Sequence, residues 1–260
     1  MSELRQALEQ GELQLFYQPK VDLQHARING AEALVRWQHR RRGFVPPDAF
    51  IGLAEETGNI RLLTRWALAA GTAQAARWAQ AGRTLRLAVN LSVRDLADGD
   101  LPRRVDELID QHRLDAQSLV FEITESAIMG EPDAAISVLR RLADRGIDLA
   151  IDDFGVGQSS FAYLRRLPVR ELKIDKAFVM HLAESVEDQT IVQSIVELGH
   201  RLGYRVTAEG VENEWAFQFL GRIGCDYAQG YHIAKALPPD EFERFLAAGR
   251  WPVRDVTAAS

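Results

Sequence analysis

Short apolar runs with alternating polarity recur along the chain, and each stops on a carboxylate, an amide or a lysine. They are INGAEALVRW with Glu32, LRLAVN with Asn90, LVFEIT with Glu122, IDLAIDD with Asp152 and Asp153, ELKID with Lys173, RVTAEG with Glu209 and CDYAQG with Gln229. A residue type that must be solvated or paired, placed each time where a strand empties into a loop, implies strand ends converging on one polar site. That is the layout of a barrel whose chemistry sits at the carboxyl ends of its strands. Between the runs the period changes. Residues 50–82 hold two helical stretches, with Leu62, Leu63, Trp66, Leu68 and Ala69 near the 3.6-residue repeat, and 101–112, 131–146, 188–203 and 213–224 read as helices. Several end in glycine, as a C-cap would. Strand and helix alternating at this spacing imply parallel βαβ units, with residues 155–170 holding a loop and a short helix between the strands of Asp152 and Lys173. The expected fold is α/β, a (β/α)8 TIM-like barrel, in which a short polar helix leads into a first strand LQLFYQPK.

Within the strands the alternation sorts the side chains by face. Val120, Glu122 and Thr124 share one face of LVFEIT; Glu171, Lys173 and Asp175 oppose Leu172 and Ile174; Arg205, Thr207 and Glu209 group together. One face suits packing against helices, and the other turns polar toward the strand end and is expected to line the barrel mouth. The length of 260 residues fits the roughly 250 of one such barrel, so a single domain over 1–260 is expected. No apolar run approaches the roughly 20 residues of a membrane helix. One cysteine, Cys225, makes no internal disulfide, and the six histidines lack zinc-site spacing. The first residues carry no secretion signal, and a cytoplasmic location is expected. A net charge of -6 argues against a DNA or RNA polymer or an anionic membrane as partner.

If Glu32, Glu122, Asp152, Asp153 and Glu209 share one mouth, each pair of carboxylates about 4 Å apart repels by roughly 4 kcal/mol at an effective dielectric of 20. Protonation or a cation must relieve this, and Lys173 supplies one positive charge among many negative ones. Oxygen-only ligands favour hard divalent ions, magnesium or manganese, over zinc or copper. Asp152 and Asp153 could reach two neighbouring ions once the strand ends and its alternation relaxes. A two-metal centre of this kind suits displacement at phosphorus.

FYQPKVDL, EALVRW, FIGLAEETG, VNLS, FEITES, DDFGVGQSS, LKIDKAFV, AEGVEN and CDYAQGY follow one another in order. On these stretches the chain resembles the EAL-domain family of cyclic di-GMP phosphodiesterases over nearly its whole length. The resemblance implies a barrel whose first strand runs antiparallel to the others. It implies one divalent ion at Glu32, Asn90, Glu122 and Asp152, and a second to which Asp153 and Glu209 contribute. A metal-held water would open cyclic di-GMP to linear pGpG, with Lys173 and the nearby Asp175 positioning that water and Glu209 as a further candidate base. Gln18, Leu34, Arg36 and Gln229 match substrate-contacting positions, and Glu125 matches a residue that steadies the loop after Asp153. Calcium is expected to inhibit, because a larger ion with looser coordination does not hold productive geometry. A homodimer through the Val156 loop and the segment with Phe161, Tyr163 and Leu164 is implied as well, within a larger signalling protein carrying a sensor or GGDEF domain.

Taken singly, these residues have plainer readings: Glu32 as a buried partner of Arg36, Asn90 as a turn residue, Lys173 as a solvated lysine, Glu125 as helix N-terminal chemistry. Trp37, Trp66 and Trp78 read as packing, and Tyr231 and His232 as wall residues. The chain also departs from the family at Val156, where threonine is common, at Gln158, where an aromatic is, and at Ala236, where proline is often found; these changes bear on loop coupling and substrate affinity. Two functional classes follow, a metal-dependent phosphodiesterase and, as the alternative, a catalytically weak cyclic di-GMP receptor. Binding without metal-dependent hydrolysis would discriminate in favour of the receptor.

Overall fold

In the computed structural model the described residues are 2–125, 127, 132–156, 164 and 166–248. The chain opens with α1 (Ser2–Glu9), β1 (Leu13–Asp22), β2 (Arg27–His39) and a short β3 (Gly43–Val45). After α2 (Ile51–Glu56) and α3 (Ile60–Gln80) come β4 (Arg86–Leu91), α4 (Val93–Leu96), α5 (Leu101–His112) and β5 (Leu119–Thr124). The second half runs α6 (Pro132–Asp144), β6 (Asp148–Phe154), β7 (Glu171–Ile174), α7 (Lys176–Val179), α8 (Val186–Arg201) and β8 (Arg205–Ala208). It closes with α9 (Glu214–Arg222), β9 (Tyr227–Ala228) and α10 (Pro239–Ala247).

The sheet order β1-β9-β8-β7-β6-β5-β4-β2, with β1 also paired to β2, closes a barrel of eight strands, and β3 adds an edge to β2. β1 is antiparallel to both β2 and β9, while the pairs from β2 through β4, β5, β6, β7 and β8 to β9 are parallel. The expected fold and the reversed first strand are both present. Closure brings β2 hard against β4: a Cβ on Gly30 would lie 2.3 Å from the carbonyl oxygen of Arg86, so only glycine fits there.

Alternation within the strands becomes two separate interiors. Leu87, Val89, Phe121, Ile123, Leu149, Ile151, Leu172, Ile174 and Val206 point outward into the main core with the helices. Ala88, Val120 and Ala150 form a small apolar layer of their own, as expected inside a barrel, which is a packed core rather than a pore. The antiparallel strand is covered by aromatics, Tyr17 meeting Trp78 of α3 at 5.0 Å and Phe242 of α10 at 5.8 Å between ring centroids. Trp37 and Trp78 are buried and Trp66 packs against the core, in keeping with a packing role. α6 and α8 are followed by Gly146 at φ 96° and Gly203 at φ 83°, the left-handed caps that the sequence leads one to expect.

α4, α7, α10 and β3 are additions to the pattern. The first two have four residues each, too short for a 3.6-residue period to register. Gln158, Phe161 and Tyr163 lie outside the described residues, as does most of the expected helix in 155–170. No helix among the described residues is long and apolar enough to cross a membrane.

Candidate functional site

The strand ends of β4, β5, β6, β7 and β8 and the interior of β2, which runs on past Glu32 to His39 rather than stopping there, bring their polar residues to one mouth, and a helix cap fixes the chain just beyond several of them. After Asn90, Ser92 forms a capping box with Asp95 that starts α4, and Thr64 of α3 donates to the Asp95 carboxylate at 2.8 Å. After Lys173, Asp175 caps α7 by accepting from the Ala177 amide at 2.7 Å. After Glu209, Asn213 caps α9 by accepting from the Ala216 amide at 2.9 Å. Each cap satisfies orphan amides of the following helix and so anchors the end of the strand that carries the functional side chain.

At the centre is the Lys173 ammonium, with no exposed surface. It lies 2.7 Å from Glu209, 2.8 Å from Glu122, 3.1 Å from Asp152 and 3.8 Å from Glu32. Burial alone would favour its neutral form, yet the four carboxylates outweigh burial and hold its pKa well above the usual lysine range. The plain reading of Lys173 as solvated is excluded. The Glu32 carboxylate is bound on both oxygens, by Asn90 Nδ2 at 2.8 Å and by Gln229 Nε2 at 2.6 Å. Gln229 Nε2 also reaches Gln18 Oε1 at 3.1 Å. This chain of amides joins β1, β9, β2 and β4 across the barrel closure. Against the burial of Glu32, Lys173 and these two amides hold its pKa below the ordinary value.

The remaining carboxylates are less well compensated. Burial, with Glu32 and Asp152 adding to it, pushes Glu122 well above the usual range despite Lys173. Burial pushes Glu209 up to about 8, with repulsion from Asp152 and Glu32. Asp153 rises to about 6, through burial first and then its neighbours Asp152 and Asp175. One ammonium thus leaves a strongly negative mouth in which some carboxylates hold protons unless a further cation is present.

Consecutive strand residues normally face opposite ways, so a shared site for Asp152 and Asp153 needs a break. It is there: Asp153 sits at φ 54°, in the left-handed region, and the β6–β7 register shifts between Ile151 and Phe154. As a result Asp152, Asp153 and Glu209 each bring a carboxylate oxygen within 4.8 Å of the others. With only carboxylate and amide oxygens to offer, this mouth fits a hard dication such as magnesium or manganese.

A cavity of about 360 Å³ opens above the cluster, walled by Gln18, Leu34 and Gln229 together with Glu32, Asp152 and Glu209. Three of the four expected substrate contacts are therefore in the wall. Arg36 is not; it donates to its neighbouring Val35 carbonyl and lies 5.8 Å over the Phe16 ring, half-buried. Glu125 is half-buried immediately after β5. Val156 is exposed, and residues 157–163 lie outside the described residues. Tyr231 is a wall residue as expected, and Lys176, Met180 and Glu212 join it.

Beneath the cluster lies a buried charged pair that the sequence reading passed over. Lys20 Nζ is 2.6 Å from Glu171 Oε1, which also accepts from the Thr207 hydroxyl at 2.7 Å. Burial opposes ionisation of Glu171, but Lys20 and Thr207 hold it down to about 2. The signal was present in part, since Glu171 falls on the polar face of ELKID; its partner stands on the one reversed strand, where face assignment depends on topology.

The family model for the EAL domain matches residues 1–236. The chain belongs to the EAL domain family. It is 41% identical over 232 residues to the cyclic di-GMP phosphodiesterase PA2567 of Pseudomonas aeruginosa, covering 89% of this chain and 40% of that protein. It is 40% identical over 242 residues to the bifunctional diguanylate cyclase/cyclic di-GMP phosphodiesterase MucR of the same organism, covering 93% of this chain and 35% of that protein. The chain thus spans well under half the length of these curated relatives. Among solved structures, the PaMucR phosphodiesterase in complex with c-di-GMP superposes with a TM-score of 0.88 at 40% identity, covering 93% of this chain and 98% of that one.

Proposed function

We propose that this EAL domain is a divalent-metal-dependent phosphodiesterase that hydrolyses cyclic di-GMP to linear 5'-pGpG in bacterial second-messenger signalling. The observation that carries the reading is the carboxylate mouth itself. Four carboxylates surround one buried ammonium, and two of them, Asp152 and Glu209, stand with Asp153 close enough to share a cation, beneath a cavity walled by two glutamine amides. The names of its relatives point to the substrate.

Glu32, Asn90, Glu122 and Asp152 would hold one ion, and Asp153 and Glu209 would contribute to a second. When bound, magnesium or manganese lowers the pKa of water and offsets charge on the phosphate. The residues of the chain do the rest. Asn90 and Gln229 orient Glu32, and Lys173 holds Glu122, Asp152 and Glu209 in register while keeping its own proton. Glu209, 2.7 Å from the Lys173 ammonium, is also the candidate base that would take a proton from the attacking water. Asp175 positions the end of β7 and leans on Asp153. Gln18 and Gln229 present amides to the ligand, Leu34 and Tyr231 present apolar surface, and Arg36 would swing from Phe16 to a phosphate oxygen. As further parts of this reading, residues 1–260 form one domain of a larger cytoplasmic signalling protein, the domain works as a homodimer, calcium inhibits it, and no membrane or nucleic-acid polymer is a partner.

The test is incubation of the purified chain with cyclic di-GMP and magnesium, manganese, calcium or EDTA, with Glu32→Ala alongside. Formation of pGpG with magnesium or manganese, absent in EDTA and in the variant, supports the reading. Tight binding with no product under any ion overturns it and makes the domain a receptor.

A further inference from the structure

A basin of about 840 Å³, larger than the cavity over the carboxylate mouth, opens at the opposite, amino-terminal end of the barrel. Its chemistry is inverted. Six arginines line it, Arg27, Arg83, Arg86, Arg113, Arg170 and Arg205, against two carboxylates, Asp115 and Asp148, in a chain whose net charge is -6. Three of the arginines stand near strand beginnings on either side of β6, Arg86 at the start of β4, Arg170 just before β7 and Arg205 at the start of β8. They converge on Asp148, the first residue of β6. Arg86 pairs with it directly, Arg205 donates to it at 2.5 Å and Arg170 lies 3.7 Å away.

One carboxylate cannot neutralise three guanidinium groups, which stay charged at any physiological pH. The Nε of Arg205 is buried and has no hydrogen-bond partner, so Asp148 does not satisfy all the donors of that guanidinium. Arg83 meets only the Glu243 carbonyl, at 3.4 Å. The deeper charges Lys20 and Glu171 cancel each other as a pair. A purely structural role for Asp148, tying strand starts together, would need one arginine or two and would leave neither the excess charge nor the open volume.

We propose that this basin is a second ligand site, for a phosphate group, either free or carried on a nucleotide. Phosphate offers several oxygens to guanidinium forks at once and matches their geometry in a way a single carboxylate does not. The volume falls within the range of small-molecule pockets, about 300–1,000 Å³. The site lies across the barrel from the carboxylate mouth and does not depend on what that mouth does.

The experiment is calorimetric titration of the full chain with inorganic phosphate in EDTA, so that no metal recruits phosphate to the other mouth, and a parallel titration with adenosine 5'-monophosphate. The expected result is one saturable site per chain. Arg170→Gln is the main variant, because that side chain is 75% exposed and the fold does not rest on it. It should weaken binding about tenfold, the loss of one charge-assisted contact. Asp148→Asn, confirmed as folded by circular dichroism, should tighten binding, because it removes the carboxylate that competes with the ligand. Tighter binding of the nucleotide would assign the phosphate to a nucleotide, and equal affinity to the free anion. No binding of either probe, an unchanged affinity in Arg170→Gln, or weaker binding in folded Asp148→Asn would each overturn the proposal.

Discussion

Replacing Lys173 with methionine removes the one positive charge at the centre of the mouth and keeps the volume nearly constant. The ammonium has three carboxylates within 3.1 Å and a fourth at 3.8 Å, and no exposed surface. Removing one partner of a buried ion pair costs about 3–5 kcal/mol, because the other charge is left uncompensated. Here several carboxylates are left, so in EDTA at pH 8 the variant should lose at least about 3–5 kcal/mol, a large part of the about 5–15 kcal/mol that holds a typical domain together. Urea denaturation with and without the ion measures it. The loss should shrink toward pH 5, where the stranded carboxylates can protonate. Manganese should restore more stability to the variant than it adds to the wild type, since a bound ion stabilises by about 2.7 kcal/mol at 100 times its Kd and the variant's mouth is more negative. Equal stability of the two proteins in EDTA at pH 8, or an equal effect of manganese on both, would mean that Lys173 does not carry the charge balance of the mouth.

Other perturbations probe separate parts of the structure. Glu209 has a folded pKa raised to about 8 from 4.5, so its contribution to stability is complete below pH 4.5 and lost as pH rises through about 8; metal-free wild type should therefore melt lower at pH 8.5 than at pH 5.5, and manganese should narrow the gap. Glu171 is the reverse case, held down to about 2 from 4.5. Its contribution, on the order of 3 kcal/mol, is present above pH 4.5 and lost as pH falls through about 2; Lys20→Met should remove that step from the acid-denaturation curve. Ser92→Ala breaks the capping box beyond Asn90 and should cost about 1 kcal/mol, read as a fall of about 2–4 °C in Tm. Gln229→Ala removes a 2.6 Å hydrogen bond to ionised Glu32, an interaction of about 1.5–3 kcal/mol, and should lower kcat/KM for cyclic di-GMP about tenfold or more.

Much of the site was legible because a strand's alternation has a period of two. Glu122 and Lys173 fall on the inward face of their runs and sit, fully buried, where that reading puts them. Lys173 pairs with the carboxylates, while burial and mutual repulsion still push Glu209 and Asp153 above the ordinary carboxylate range. What escaped the pattern has physical causes. Asp153 joins Asp152 as expected where alternation relaxes, yet through a left-handed residue and a register break inside β6 rather than at the strand's end. The Lys20–Glu171 pair spans 151 residues and rests on β1 running backward, which the motif resemblance implies but the polarity of LQLFYQPK does not. Arg36 stands two residues beyond Leu34 on the same strand, yet only Leu34 reaches the cavity wall, since Arg36 packs on Phe16. Arg27, Arg86, Arg170 and Arg205 of the opposite basin lie at or beside strand beginnings, away from the strand ends that carry the alternation signal.

If ions held by these carboxylates drive hydrolysis, the rate of pGpG formation should follow manganese titrated into metal-free protein, compared for the wild type, Asp152→Asn and Asp153→Asn. Expected are a saturable dependence on manganese in the wild type, no turnover in EDTA, and a demand for far more manganese, or no turnover, in both variants. A rate that persists in EDTA, or that Asp152→Asn leaves unchanged, would contradict metal-driven hydrolysis.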